Sequence, residues 1–224
     1  DGWVLDGSAG FVLDGADADV LLVIAQSPDG PRLFEVLDAD AVVRDEVATM
    51  DQTLRLATVA FNGVAARPLG AGGADALAEV RALAMTAVSA VQAGTAARGL
   101  AMTAEYAKQR VQFGRQIGSF QAIKHRLADM HVRVEVALTA SRAATAALAS
   151  GSPERLQLAN IAKAVCSESL QHIASETIQL HGGIAITWEH DAHLIFKRAH
   201  ALSELFGTAR EQRSDAESWA LARL

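Results

Sequence analysis

The stretch from Tyr106 to Met130, YAKQRVQFGRQIGSFQAIKHRLADM, holds a helix end, a tight basic turn and a second helix start. Tyr106 to Arg110 closes a long Ala-rich helical pattern. Gly114 and Gly118 permit backbone angles that other residues resist. Ser119 is placed to N-cap a helix carrying Ile123, Leu127, Met130 and Val134 at three- and four-residue spacing. Arg110 and Arg115 flank the turn beside Phe113. Two guanidinium groups around a glycine-containing turn, with helix N-terminal amides nearby, suit a diphosphate. The competing reading is a helix hairpin whose basic residues are simply solvated, the usual fate of charged side chains.

Outward from this stretch the pattern stays helical. Asp75 to Gln109 is one long helix, with Gly94 and Gly99 allowing close packing or a slight bend. Ser119 to Ala149 is the second. Gly151-Ser152-Pro153 combines a stop, an N-cap and a first-turn proline, and so predicts the start of the third. That helix carries Leu158, Ile161, Ala162, Val165, Leu170, Ile173 and Ile178, and Gly182-Gly183 closes the region after it. Two shorter helices are expected over Asp191–Leu205 and Thr208–Leu221. Antiparallel helices with short connections predict an up-down four-helix bundle.

Arg67 to Gly73, with Pro68, Gly70, Gly72 and Gly73, is the boundary. Before it the chain reads as β-structure. Trp3-Val4-Leu5 leads into Asp6-Gly7, a hairpin-type dipeptide, and Phe11-Val12-Leu13 into a second, Asp14-Gly15. Val20 to Ala25 is a continuous apolar run suited to a buried strand. Ser27-Pro-Asp-Gly30 turns the chain toward Leu33–Leu37. The alternation from Leu54 to Asn62 predicts a last long strand without deciding its buried face. The expected fold is therefore α+β, mainly α: a partial antiparallel β-domain over residues 1–67, a linker over 68–74 and a helical bundle domain over 75–224.

At 224 residues the chain can bury a sizeable core in one or two domains. Half the residues are apolar and only 5% aromatic, so that core must be aliphatic and Ala-rich. Twenty Lys and Arg against 26 Asp and Glu leave a charge of −6, which argues against a general nucleic-acid surface. The single Cys166, inside an apolar helical pattern, reads as a buried thiol in a reducing cytoplasm. No run of 18 or more apolar residues suggests a transmembrane segment, and no signal peptide opens the chain. Asp1 stands in the middle of a strand-like pattern, as expected of a sequence lacking its N-terminal region.

Several constellations could carry chemistry. Glu189, His190, Asp191 and His193 resemble metal ligands, but bundle di-iron sites use Glu-x-x-His pairs and no Glu here has a His three residues on. Metal binding is therefore not expected, and Glu189 reads as a helix-start carboxylate. His181 could contact a ligand from its turn or simply pack. No Gly-x-Gly-x-x-Gly follows a strand and no P-loop is present. Gly182-Gly183, beside Gln179, gains weight from the basic turn, because glycines let backbone amides approach a phosphate.

Arg110-Val-Gln-Phe-Gly-Arg-Gln-Ile-Gly-Ser-Phe-Gln-Ala-Ile-Lys-His-Arg-Leu-Ala-Asp-Met130 closely resembles the helical hairpin of the acyl-CoA dehydrogenase family. Gln179-Leu-His-Gly-Gly183 resembles that family's Gln-x-x-Gly-Gly turn, in the expected order. The resemblance runs through nearly the whole chain, most clearly from Tyr106 to Gly207. It implies the later part of a middle β-domain followed by the C-terminal bundle. It also implies FAD at a subunit interface, where one subunit's bundle contacts its neighbour's cofactor. By motif, Arg110 and Phe113 match the basic turn around the FAD diphosphate and adenosine half, and Gln121 a polar contact at the next helix start. Gln179 and Gly183 match the contact to the partner's FAD diphosphate. Thr208, in Phe206-Gly207-Thr208, matches the threonine of the family's Glu-Gly-Thr near the cofactor. For each a structural reading competes; Phe113 could be core.

The reaction implied is α,β-dehydrogenation of an acyl-CoA thioester. A carboxylate removes the α-proton, acidified by the polarised carbonyl, while hydride passes from the β-carbon to the flavin. The electrons then go to electron-transfer flavoprotein or a similar acceptor. The carboxylate's usual position is Phe206 here. The alternative position, near the start of the first bundle helix, falls at about Ala84, followed by Met85. Neither holds a proton acceptor. The family's flavin-side Trp-x-Thr/Ser also departs, to Phe11-Val12-Leu13, although Leu13 can still offer its backbone N–H. Three readings follow. The chain is a supporting subunit of a heteromeric dehydrogenase, of the kind known for steroid side-chain CoA esters. Or it is an active homo-oligomer, dimer or tetramer, with Glu204 or Glu79 as a displaced base. Or it is a scaffold of the same fold. Glu204, two residues early on a helix, would face about 200° away, and Glu79 lies more than a turn off. Retention of the cofactor-contact set with both base positions apolar favours the first.

Overall fold

The computed structural model describes residues 2–70 and 73–223. Gly72, one glycine of the predicted boundary, and the chain-opening Asp1 lie outside the described residues. The chain forms two compact units, residues 1–80 and 81–224.

The first unit is an antiparallel sheet of β1 (Trp3–Leu13), β2 (Leu22–Ser27), β3 (Gly30–Val36), β4 (Val43–Val47) and β5 (Leu56–Pro68). The long β5 organises it. One edge pairs with β1 along nearly its whole length, and the other is shared by β4 at Leu56–Ala60 and β3 at Ala66–Pro68. Its burial explains why alternation left the inner face undecided. Ala57, Val59 and Phe61 point inward, and so do Val64 and Ala66, because Gly63 is an extra residue where the β1 register jumps from Leu5↔Val64 to Asp6↔Asn62. Such a bulge exchanges odd for even positions. Leu5, Leu21, Phe34, Val36 and Val42 complete the core.

The bulge also corrects the first predicted hairpin. Asp6-Gly7 does not turn the chain; Asp6 Oδ1 accepts the Gly63 amide at 2.7 Å and β1 runs straight through. The second Asp-Gly does turn, at Asp14 (φ 51°), where Arg55 bridges Asp14 and Asp17. Val20–Ala25 is not a buried strand. β2 starts at Leu22, and Val20, Leu22 and Ile24 are exposed. Ser27 and Gly30 close the predicted β2–β3 turn. β4 escaped notice because Arg44, Asp45 and Glu46 interrupt its valines. Arg44 earns its place by donating to the Gly15, Ala16, Ala18 and Ala39 carbonyls.

The helical unit is carried by α1 (Ala74–Gln109), α2 (Gln121–Ala149), α3 (Arg155–His181), α4 (Ala192–Glu204) and α5 (Ala209–Leu221). Buried alanines such as Ala82, Ala93, Ala96, Ala137, Ala159 and Ala162 let these helices approach closely. A Cβ on Gly99 would stand 2.8 Å from Ile173 Cγ2, so this glycine is a packing site, whereas Gly94 faces open space. Among the described residues, α1 is the one helix long and apolar enough by length and composition to cross a bilayer. Within this fold it is a core helix. Gln92 donates to Ser167 and Leu202, and Thr103 donates to Thr177.

Two helix starts are corrected. Ser119 does not cap α2; its hydroxyl donates back to the Gln116 carbonyl at 2.6 Å within a short 3-10 turn, and Phe120 is the N-cap. Ser152 and Pro153 precede α3 rather than opening it. Ser152 Oγ accepts the Glu154 amide, and the helix begins at Arg155. Cys166 is buried as expected, and Thr208 caps α5.

Candidate functional site

α1 ends where the Arg110 amide bonds the Tyr106 carbonyl at 2.9 Å. The chain then makes a two-residue hairpin, Val111–Gln112 against Arg115–Gln116. Its loop, Phe113 (φ 52°) and Gly114 (φ 76°), has the doubly left-handed geometry that short hairpins favour. Glycine suits that geometry and phenylalanine does not. Yet the Phe113 side chain is spent on no core, being 91% exposed. Its ring stands perpendicular to that of Phe120, centroids 6.1 Å apart, and the Phe120 ring lies under the Arg115 guanidinium at 4.0 Å. Behind the hairpin, Gly118 packs on the end of α1, where a Cβ would stand 2.9 Å from the Ala107 carbonyl oxygen.

Tyr106 joins this hairpin to the Gln179–Gly183 turn. Its ring stacks on His181 at 4.3 Å, and its hydroxyl donates to the His181 carbonyl. His190 closes the cluster at 4.5 Å from His181. His181 Nδ1 lies 2.7 Å from the Thr177 carbonyl and so carries the proton; buried Nε2 has no partner. Burial pushes the His181 pKa down, the Thr177 contact opposes this and His190 reinforces it, which keeps the ring neutral. Gly182 (φ 65°) terminates α3, and both glycines have open space where a Cβ would be. Among the described residues, the side chains of Arg110, Gln121 and Gln179 are exposed and make no hydrogen bond or ion pair. Free guanidinium and amide groups and exposed glycine backbone are the kinds of group that suit an anionic diphosphate.

The remaining predicted positions lie elsewhere. Lys163 is 16 residues before Gln179 in α3, about 24 Å along the helix axis. It touches the α4–α5 turn, where Phe206 (φ 58°) and Gly207 (φ 100°) precede Thr208. The Thr208 hydroxyl accepts the Glu211 amide and the Glu211 carboxylate accepts the Thr208 amide, forming a capping box. Ala84 is half-buried, and Met85 packs with Ala82 and Ala159 near the start of α3. Phe206 and Ala84, the two positions expected from the resemblance to hold a base, thus sit toward the Lys163 end, away from the glycine turn. Glu204 is exposed and accepts from the Ser203 hydroxyl, and Glu79 is exposed on α1. In the sheet unit, Leu13 ends β1 and is exposed beyond the irregularity between Ala9 and Val12.

Of the metal-like residues, His190 Nδ1 accepts the Ala192 amide and His193 stacks edge-on with Trp188. No cluster of three potential ligands occurs among the described residues. The Tyr106–His181–His190 cluster was not foreseen, since the three residues are separated in sequence. Lys163 was not foreseen either, although a lysine between Ala162 and Ala164 in an otherwise apolar run was the available signal.

A model of the acyl-CoA dehydrogenase C-terminal domain matches residues 72–220. Acyl-CoA dehydrogenase IpdE2 of Mycolicibacterium smegmatis is 42% identical over 209 residues, covering 92% of this chain and 61% of its own length. Among solved structures, a Tcur3481-Tcur3483 steroid ACAD variant aligns with a TM-score of 0.91 and 33% identity, over 99% of this chain and 60% of that one. The ChsE4-ChsE5 complex from Mycobacterium tuberculosis aligns with a TM-score of 0.84 and 31% identity, over 98% and 60%. The chain therefore spans about three fifths of the length of these relatives. With a matching domain over most of the sequence and the same fold throughout, the chain belongs to the acyl-CoA dehydrogenase family.

Proposed function

We propose that this chain is a subunit of an FAD-dependent acyl-CoA dehydrogenase that completes its partner's flavin site without supplying the catalytic base. The observation that carries the reading is the division within the helical unit. Toward one end Arg110, Gln121 and Gln179 are exposed and unengaged and Gly182-Gly183 is uncovered, while toward the other Phe206 and Ala84, the positions where the family resemblance would place a carboxylate, are apolar. FAD, when bound, supplies the acceptor for the substrate's β-hydride. Arg110 and the Gly183 backbone would neutralise its diphosphate, Phe113 would cover an apolar part, Gln121 and Gln179 would orient it, and Thr208 would stand near a flavin.

The named relatives include a steroid enzyme and a two-component complex, which favours a hetero-oligomer, dimer or tetramer, acting on a bulky acyl-CoA such as a steroid side-chain ester. Electron-transfer flavoprotein is the corresponding electron acceptor, and the single buried thiol is in keeping with a cytoplasmic setting. Glu204 and Glu79 do not favour the displaced-base alternative, since neither adjoins Phe206 or Ala84 on a common helical face.

The test uses the full-length protein, alone and co-expressed with its nearest-encoded homologue. Flavin absorbance and the FAD-to-protein ratio are recorded, then bleaching by a panel of acyl-CoAs. Flavin bleached only in the complex is the expected result. Bleaching by the single chain overturns the supporting role, and absence of flavin from both preparations leaves a scaffold.

A further inference from the structure

The ammonium of Lys163 is the feature that neither the family motifs nor the proposed cofactor contacts use. It is fully buried in α3. An ammonium has three N–H donors and no acceptor, and burying it is costly unless all three are satisfied. Here each has a partner: Ser167 Oγ at 3.0 Å, the Ser203 carbonyl at 3.1 Å and the Gly207 carbonyl at 3.1 Å. Packing alone would be served by an apolar side chain of equal volume, but that would leave the Ser203 and Gly207 carbonyls without this donor. The identity of the acceptors argues for more. Ser203 lies in the last turn of α4, whose carbonyls lack helical partners and carry partial negative charge. Gly207 directly follows Phe206, the non-glycine residue held at φ 58°. The two carbonyls therefore bracket the strained turn.

Other side chains brace the same point. Gln92 of α1 donates to Ser167 Oγ and the Leu202 carbonyl, and Gln212 of α5 donates to the Phe206 carbonyl at 3.0 Å. Gln92 and Gln212 are neutral amides, and the Glu211 carboxylate of α5 holds the Thr208 amide at the same turn. Glu204 on α4 is the ammonium's charged neighbour, and the Cys166 thiol on α3 is neutral because burial pushes it up to about 12. Burial brings Lys163 down to about 8, against the pull of Glu204, so it is charged at pH 7.

We propose that Lys163 is a positioning residue that fixes the Phe206–Thr208 turn by holding the Ser203 and Gly207 carbonyls, thereby setting where Phe206 and Thr208 are presented. That the turn borders a flavin rests on the function proposed above; the clamp itself does not.

The experiment is hydrogen exchange at pH 7 on the flavin-loaded complex, resolving the Gly207 and Thr208 amides, in the unsubstituted protein and in Lys163→Met and Ser167→Ala. Lys163→Met is expected to speed exchange of those amides at least tenfold while α1 and α2 stay within threefold. Ser167→Ala, which keeps both carbonyl contacts, is expected to leave them within threefold. Unchanged exchange in Lys163→Met overturns the proposal. The unsubstituted protein supplies a second readout independent of the variant's folding. The Lys163 ammonium protons are expected to exchange at least a hundredfold more slowly than those of exposed Lys124, and equal rates overturn the clamp. The flavin absorbance envelope is read in the same samples. A changed envelope with a loosened turn supports both steps, while a loosened turn beside an unchanged flavin supports the clamp and overturns the flavin-side placement of Thr208.

Discussion

Phe113 and Phe206 share an unusual state, a bulky side chain on a left-handed backbone at φ 52° and 58°. That conformation costs a residue with a Cβ about 1–2 kcal/mol. Phe113 is almost fully exposed and recovers little of this in packing. Phe113→Gly should therefore hold or raise stability, whereas β-branched Phe113→Val should lower it by more than about 1 kcal/mol. Urea unfolding midpoints compare the two, and flavin retention in the complex should fall in both. Lys163 gives a prediction in pH. Burial lowers its pKa from 10.5 to about 8, so between those values the unfolded chain binds more protons than the folded one. Stability from this group therefore rises with pH across that window, by about 3 kcal/mol at most. Denaturation at pH 7 and pH 10 should show that gain in the unsubstituted protein relative to Lys163→Met. An equal pH dependence in both would refute it.

At the scale of elements, the caps and glycines separate cleanly. Thr208→Ala removes the α5 N-cap and should cost about 1 kcal/mol, with Thr208→Ser close to neutral. The Thr208 amide and hydroxyl hold the Glu211 carboxyl below its usual range. Its contribution is thus present above that range and is lost as pH falls through the folded-state value, so thermal melts of α5 should show the cap weakening in acid. In α1, Gly99→Ala meets Ile173 and should cost about 1–3 kcal/mol. Gly94→Ala meets nothing within 4 Å and should stabilise by about 0.5–1 kcal/mol; a pair of thermal melts decides this. The long helices were legible because their apolar spacing persists over many turns. The starts at Ser119 and Ser152 were not, since a hydroxyl before a helix can bond a turn as readily as a cap. The inner face of β5 was hidden by one extra residue, Gly63, which no alternation rule registers. β4 was hidden because Arg44 is stabilised by distant carbonyls rather than by its neighbours. Within the candidate site, contiguous motifs drew the eye to Arg110, Gln179 and Thr208. The stacking of Tyr106 on His181 and the carbonyl contacts of Lys163 were not legible, because they join residues far apart in sequence.

At the scale of the whole chain, the sheet and the bundle each carry their own core, and Cys166 reports on the second. Its thiol is fully buried and pushed up to about 12, so it should resist thiol reagents at pH 8 until the bundle opens. A labelling rate that follows global unfolding is the expected outcome, and rapid labelling of the folded protein would contradict it. The distance along α3 between the glycine turn and the Lys163 end has another consequence. Sites some 24 Å apart on a stiff helix, with no shared partners, are expected to respond to substitution additively. A lineage can then lose chemistry at one end by drift while selection still guards the other, leaving a paralogue that is inert by itself and indispensable to its sibling.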